Sequence, residues 1–242
     1  MTTNLSTPTR ALAVGAHPDD IEFGCGGTLA KWASQGCAVY LAVCTDGSKG
    51  SWNAFEDQVQ LINTRQKEQQ AAASVLGVEA DVVFLGWSDG ELEAGKEQRR
   101  RIARLIRETT PDVVLGHDPW KRYRLHPDHR NAGFLVTDGI VAARDPLFFP
   151  ELDVEPHRPG AILLFEADAP DHVEDIAATF DLKLEALLEH RSQLLSTMAI
   201  PTGAERSDPA VAAFSERVRL EAATAARGTR FSLGEAFKRI EA

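Results

Sequence analysis

Short, uninterrupted apolar runs alternate with longer amphipathic stretches along this chain. Residues 11–16 (ALAVGA) lie between Arg10 and a polar turn, and the lack of polar alternation predicts a strand buried on both faces. Residues 26–36 then carry Leu29, Trp32 and Ala33 at helical spacing and stop at Gly36, which predicts a helix. Residues 38–44 (AVYLAVC) predict a second buried strand, residues 61–76 a long helix ended by Gly77, and residues 82–85 a third strand. A charged helix over 96–108, a strand over 113–115 after Pro111, and a helix opening at Pro127 continue the rhythm. Strands alternating with helices at this spacing predict an α/β, Rossmann-like three-layer fold, its mostly parallel sheet covered by helices on both faces.

Residues 144–160 are rich in proline and lack a clear period, so they predict a surface excursion. A strand over 161–167 (AILLFEA) and a helix over 181–195 follow, and a last helix over 208–227 carries Val211, Phe214, Val218 and Leu220 to Ala222 on a broad stripe. No internal repeat interrupts the series. Residues 1–242 therefore read as one domain, with the N-terminal decapeptide MTTNLSTPTR expected to be frayed.

At 242 residues, 43% hydrophobic and 26% charged, the composition is that of a water-soluble globular chain with room for a large core. The net charge of −10 argues against a protein that tracks nucleic-acid phosphates or anionic membranes, and favours a neutral or cationic small substrate. Cys25, Cys37 and Cys44 form no C-x-x-C pair and an odd number of thiols, so they read as buried small hydrophobes. No stretch is long and apolar enough for a membrane span and no secretory h-region is present, so the expected location is the cytoplasm.

The chemistry gathers in two clusters. His17-Pro-Asp-Asp-Ile-Glu22 follows the first strand, at the carboxyl edge where open α/β sheets bind ligands. His126-Pro-Asp-His129 follows the 113–115 strand, with Pro127 suited to the first helical position and His126 to the cap, so that His129 falls on the same side. His17, Asp20 and His129 make a set of two imidazoles and one carboxylate that leaves coordination positions open, a pattern of catalytic rather than structural metal sites. Asp19 is then a spare carboxylate able to take a proton from water, and His126 a group that can stabilise an oxyanion or protonate a leaving amine. Asp128, in the first helical turn, is placed to hold a neighbouring histidine in one tautomer. Together these residues read as machinery for metal-assisted amide hydrolysis. His117, His157, His172 and His190 show no second ligand at metal spacing and are expected to be structural. On position alone Arg65 reads as a helix charge and Asp89 as a turn residue.

With Ala16-His-Pro-Asp-Asp-Ile-Glu22 and His126-Pro-Asp-His129, the chain resembles the PIG-L (LmbE-like) family of zinc-dependent N-deacetylases. Supporting stretches are Thr64-Arg-Gln-Lys-Glu68, Leu85-Gly-Trp-Ser-Asp-Gly90, Glu166-Ala-Asp-Ala-Pro-Asp-His172, His190-Arg-Ser-Gln193 and Gly234-Glu-Ala-Phe237, so the likeness covers nearly the whole chain. The resemblance implies Zn2+ on His17, Asp20 and His129, with Fe2+ or another divalent ion as the substitute. It implies Asp19 as general base, with His126 and Asp128 serving the tetrahedral intermediate and leaving group. It also implies Arg65 and Asp89 as contacts to sugar hydroxyls, and an N-acetylglucosamine conjugate as the small-molecule substrate. Family members often assemble as trimers or hexamers, which allows a homo-oligomer here, while the apolar stripes could equally cover the monomer's own sheet. Two departures bear on substrate and mechanism: residues 45–50 (TDGSKG) lack the glutamate of the thiol-precursor enzymes, and Arg124 stands where some members have a catalytic tyrosine, with Tyr123 one residue earlier. The aglycone side is expected near Trp52, Trp87, Trp120 and residues 144–159.

Three other readings compete. His17-Pro-Asp19 is also the H-x-D of an iron oxygenase triad, but those ligands usually sit in a β jelly roll. Gly24-Cys-Gly-Gly27 opens a helix after a strand, yet Leu29 replaces the third glycine of a dinucleotide fingerprint, and the acidic loop is hostile to pyrophosphate. A non-catalytic sugar-binding protein of the same fold would be expected to lose Asp19, which is retained.

Overall fold

The apolar runs become the inner strands of one eight-stranded sheet in a computed structural model that describes residues 1–242. In chain order the elements are β1 (Thr2–Thr3), β2 (Arg10–Gly15), α1 (Asp20–Ser34), β3 (Ala38–Thr45), α2 (Gln58–Val75), β4 (Val83–Trp87) and α3 (Lys96–Thr109). Then come β5 (Val113–His117), α4 (Pro127–Arg144), β6 (Ala161–Phe165), β7 (His172–Asp175), α5 (Phe180–Glu189), α6 (Pro209–Ala225) and β8 (Gly234–Glu241). The sheet order is β1-β7-β8-β6-β5-β2-β3-β4, and only β8 runs antiparallel to its neighbours β6 and β7.

Period-two alternation along β2 divides the core. Ala11 and Ala13 face Leu29, Trp32, Ala72 and Ala186 of α1, α2 and α5, whereas Leu12 and Val14 face Ile102, Ile106, Leu135 and Val136 of α3 and α4. A smaller apolar cluster joins α5 to α6 through Leu187, Phe214 and Val218. The predicted three-layer α/β fold is what forms. From β2 the chain moves outward to β3 and β4, then crosses back to β5 on the other side of β2. The loops after β2 and β5 thus diverge, and their strand ends open the crevice where ligands bind in such sheets.

The structure corrects several boundaries. α1 starts at Asp20 rather than residue 26, and it is kinked at Cys25 (φ −152°). The glycines around the kink serve packing: a Cβ on Gly24 would lie 2.6 Å from the Phe165 ring, and one on Gly27 2.9 Å from Ile176. The 161–167 strand ends at Phe165 because Glu166 takes a left-handed turn (φ 60°), and the 181–195 helix ends at Glu189 before a short 3-10 turn over Arg191–Gln193. The sequence pattern gives no sign of β1, β7 or β8; β8 (GEAFKRIE) breaks its apolar positions with Glu235, the pair Lys238-Arg239, and Glu241. The N-terminal segment is tied down instead of frayed: Thr2 and Thr3 pair with His172 and Val173, and the Leu5 amide donates to Glu174 Oε1 at 2.7 Å. The 145–160 excursion has no strand, and Phe149 and Leu152 pin it to the core against α3 and α4. The three cysteines are free and buried, as expected.

Candidate active site

β2 and β5 both end at the crevice, and each delivers a histidine there. His17 is the second residue after β2, and Asp19 caps α1 with φ 102°, a left-handed conformation that costs a non-glycine residue about 1 kcal/mol. Two contacts hold that turn: the Asp19 amide donates to Gln69 Oε1 at 3.0 Å, and the His17 amide donates to Asp20 Oδ2 at 2.7 Å. On the β5 side, Pro127 opens α4 and His126 caps it, its Nδ1 accepting the Asp128 amide at 3.3 Å, as the spacing predicted.

The three predicted metal ligands converge. His17 Nδ1 lies 3.2 Å from His129 Nε2 and 3.3 Å from Asp20 Oδ2, and His129 Nε2 lies 3.5 Å from Asp20 Oδ1. Donors about 2.0–2.1 Å from a tetrahedral ion stand about 3.3 Å from one another, so this donor set fits a single metal with open positions. Charge agrees with geometry. Burial alone would lower the His17 pKa, yet Asp128, Asp20 and Asp89 around it raise it to about 12. The site calls for positive charge, which a cation on the ring nitrogen supplies in place of a proton.

Each donor is held from behind. His17 Nε2 stands 3.2 Å from both Asp89 Oδ1 and Asp128 Oδ2. Asp128 is fully buried and also accepts the amides of Gly90 (2.6 Å) and Leu92 (3.2 Å). Burial opposes its ionisation, but His17 and those amides outweigh it and hold its pKa below the carboxylate range. Asp128 therefore orients His17, not His126. His117 Nε2 lies 3.2 Å from Asp20 Oδ2 and its Nδ1 3.1 Å from Glu166 Oε2. Burial would lower the His117 pKa; Asp20 and Glu166 raise it, and Asp20 is in turn pushed well below its usual range against its own desolvation. His117 is thus part of the site and, with Asp20 and His129, forms one of three groups of possible metal donors within 4.8 Å, the others being His17, His126 and His129, and His17, Asp89, His126 and Asp128. Arg124 grips Glu166 at 3.0 and 2.9 Å and touches His129 Nδ1.

Asp19 is left outside this set but lines the same cavity, of about 570 Å³. Burial raises its pKa to about 6, against the pull of the Arg65 guanidinium 3.6 Å away. Arg65 is buried and donates to the carbonyls of Pro18 (2.7 Å) and Gly47 (2.9 Å), so it braces the Asp19 turn while forming part of the cavity wall. Asp89 also lines the cavity and accepts the Lys49 amide at 3.0 Å. Arg124 lines it too, whereas Tyr123, 88% exposed, does not. His126 faces the cavity, and burial together with the nearby His17 lowers its pKa.

Sequence reasoning passed over Glu166, Gln69 and Glu22. Gln69 links the Asp19 amide to Glu22, its Nε2 donating to Glu22 Oε1 at 2.7 Å, and His190 meets the other Glu22 oxygen at 3.3 Å. The one signal on the sequence was Glu22 at the end of the His17 cluster; Gln69 and His190 sit on an ordinary helix and turn, and only their burial beside Glu22 marks the set.

Comparison with known proteins follows the same lines. The profile of the family described as "PIG-L: GlcNAc-PI de-N-acetylase" matches residues 12–140. A diacetylchitobiose deacetylase from Thermococcus kodakarensis is 34% identical over 187 residues, covering 76% of this chain and 70% of that protein. A 4-oxalmesaconate hydratase from Pseudomonas putida is 28% identical over 222 residues, covering 84% and 83%. Among solved structures, the N,N'-diacetylchitobiose deacetylase from Pyrococcus horikoshii, complexed with its inhibitor MPG, superposes with a TM-score of 0.85 at 29% identity, covering 97% of this chain and 84% of that one.

Proposed function

Because this chain belongs to the PIG-L family, we propose that it is a zinc-dependent N-deacetylase. It removes the acetyl group from an N-acetylglucosamine-type amide, with residues 1–242 working as one domain in the reducing cytoplasm. The observation that carries this reading is the meeting of three metal donors with one unligated, buried carboxylate, Asp19, in a single cavity. A zinc ion held by His17, Asp20 and His129 would polarise the acyl oxygen and lower the pKa of the attacking water.

The protein's own groups do the rest. Asp19, with a pKa near 6, is ionised at neutral pH yet basic enough to accept the proton of the attacking water. Collapse of the tetrahedral intermediate expels an amine, and the same carboxyl group returns its proton to that nitrogen. His126 accepts the Asp128 amide at Nδ1, which places its proton on Nε2. That N–H is available to donate to the developing oxyanion. Asp89 and Arg124 are the wall residues placed to meet sugar hydroxyls. Arg65 acts through Asp19, since its hydrogen bonds go to the Pro18 and Gly47 carbonyls.

The hydratase relative shows that this fold hosts other water chemistry. Cavity charge separates the two readings. A polycarboxylate needs several uncommitted cations, but Arg65 serves Pro18 and Asp19, Arg124 serves Glu166, and Lys49 serves Glu91 at 2.8 Å, which leaves Arg217 alone without a carboxylate partner in a lining that also carries Asp19, Asp20, Asp89, Glu166 and Glu221. The cavity thus favours a neutral amide substrate.

The test is amine release from a panel of N-acetylglucosamine conjugates, with protein stripped by chelator and then reloaded with Zn2+ or Fe2+. Release by the zinc-loaded protein, lost on chelation, is the expected result. A zinc-loaded protein that leaves every amide intact overturns the reading.

A further inference from the structure

A second cavity, of about 580 Å³, lies beside the first, and the two meet at Gly50. The partition between them is one residue thick: Thr64 lines the second cavity and Arg65 the first, Ser192 and Gln193 divide in the same way, and so do Ser196 and Thr197. Gly50 forms the sill for a steric reason. A Cβ there would run into Arg65 Nη1 and lie 3.0 Å from Gln193 Oε1, so glycine keeps the sill at backbone height without displacing those side chains.

The second cavity has the chemistry of a carbohydrate site. Trp52 lines it and stays 78% exposed, presenting a flat apolar face, and Asn53, Gln60 and Ser196 supply amide and hydroxyl groups nearby. A pyranose ring has the same division, a C–H face that packs on an indole and a hydroxyl edge that needs donors and acceptors. The charged groups of this cavity have local partners: Glu56 accepts from Ser51 Oγ at 3.0 Å, and Arg191 lies 3.7 Å from Glu189. Neutral ligands are favoured over anionic ones. The other elements expected on the aglycone side, Trp87, Trp120 and residues 144–159, line neither cavity.

We propose that the Trp52 cavity is the aglycone subsite and that it holds a second neutral sugar ring, linked across Gly50 to the N-acetylglucosamine unit in the metal-ligand cavity. The substrate class is then an N-acetylated di- or oligosaccharide rather than an acidic or lipid conjugate. This rests on the deacetylase reading of the first cavity.

The experiment uses zinc-loaded full-length protein, with calorimetric titration and amine release run side by side on N-acetylglucosamine and N,N'-diacetylchitobiose, for the wild type, W52A and W52F. The wild type is expected to bind the disaccharide about tenfold tighter than the monosaccharide. W52A is expected to lose that advantage while keeping its monosaccharide affinity and turnover, and W52F to restore most of it. Equal disaccharide affinity in wild type and W52A overturns the subsite, whether or not amine appears. Trp52-dependent binding without amine release upholds the subsite and overturns the deacetylase reading, and no binding of either sugar overturns both.

Discussion

Asp128 Oδ2 stands 3.2 Å from Nε2 of His17, on the far side of the ring from the Nδ1 that faces Asp20 and His129. A carboxylate behind a ligating imidazole sets its tautomer and raises its basicity. D128N puts an amide N–H, or a weaker acceptor, where His17 and two backbone amides now find a carboxylate. Metal affinity is expected to fall about 10- to 100-fold, read by competition with a chromophoric chelator. Unchanged affinity in a folded D128N protein would remove this role.

Replacing Asp19 separates metal binding from proton transfer. D19N keeps His17, Asp20 and His129, so zinc stoichiometry by atomic absorption should stay at the wild-type value. The rate of amine release should drop by about 100-fold or more, because the group that takes the water proton has lost its basicity. Full activity in D19N would exclude Asp19 as the base.

The glycines that open α1 make a stability prediction. A methyl group on Gly24, which is half-buried, meets the fully buried Phe165 ring at 2.6 Å. G24A is expected to destabilise the fold by about 1–3 kcal/mol, measured as a shift of the urea midpoint. A variant as stable as wild type would show that the ring moves aside freely.

Glu174 predicts the acid limb of stability. It is fully buried and meets His172 Nε2 at 2.7 Å, the Leu5 amide, and the Lys31 ammonium. Burial raises its pKa, but His172 and Lys31 outweigh that and the net shift is downward. A depressed folded pKa means that the stabilisation is complete above the unfolded value of about 4.3 and is lost as pH falls through the folded one. E174Q should therefore be less stable than wild type by about 3 kcal/mol at pH 7, with the gap closing on acidification. A gap independent of pH in denaturant titrations would contradict the assignment.

The inner strands were legible because parallel strands buried on both faces must be continuously apolar, as residues 11–16 and 38–44 are. The candidate metal donors His17, Asp20 and His129 were legible because they sit at strand ends in two short clusters whose proline turns limit where they can point. β8 was not legible: Lys238, Arg239 and Glu241 break its apolar run, and its place between β6 and β7 depends on pairing partners some 60 residues or more away in sequence. Glu166 was hidden for a different reason. Within an apolar run it reads as strand, and only its left-handed backbone turns it toward His117 and Arg124.

The sequence by itself determined the alternating α/β architecture, the two histidine-carboxylate clusters and the spare carboxylate Asp19, because these follow from local periodicity and from residue types at short spacing. Tertiary structure alone decided which groups stand behind those ligands, that Arg65 braces Asp19, that Arg124 rather than Tyr123 lines the cavity, and that Gly50 forms a sill beside Trp52. These depend on the crossover that brings the ends of β2 and β5 together and packs α2 and α5 against the same face. A contact between residues 17 and 128 is set by the packing of the whole sheet, and no local pattern in the chain encodes it.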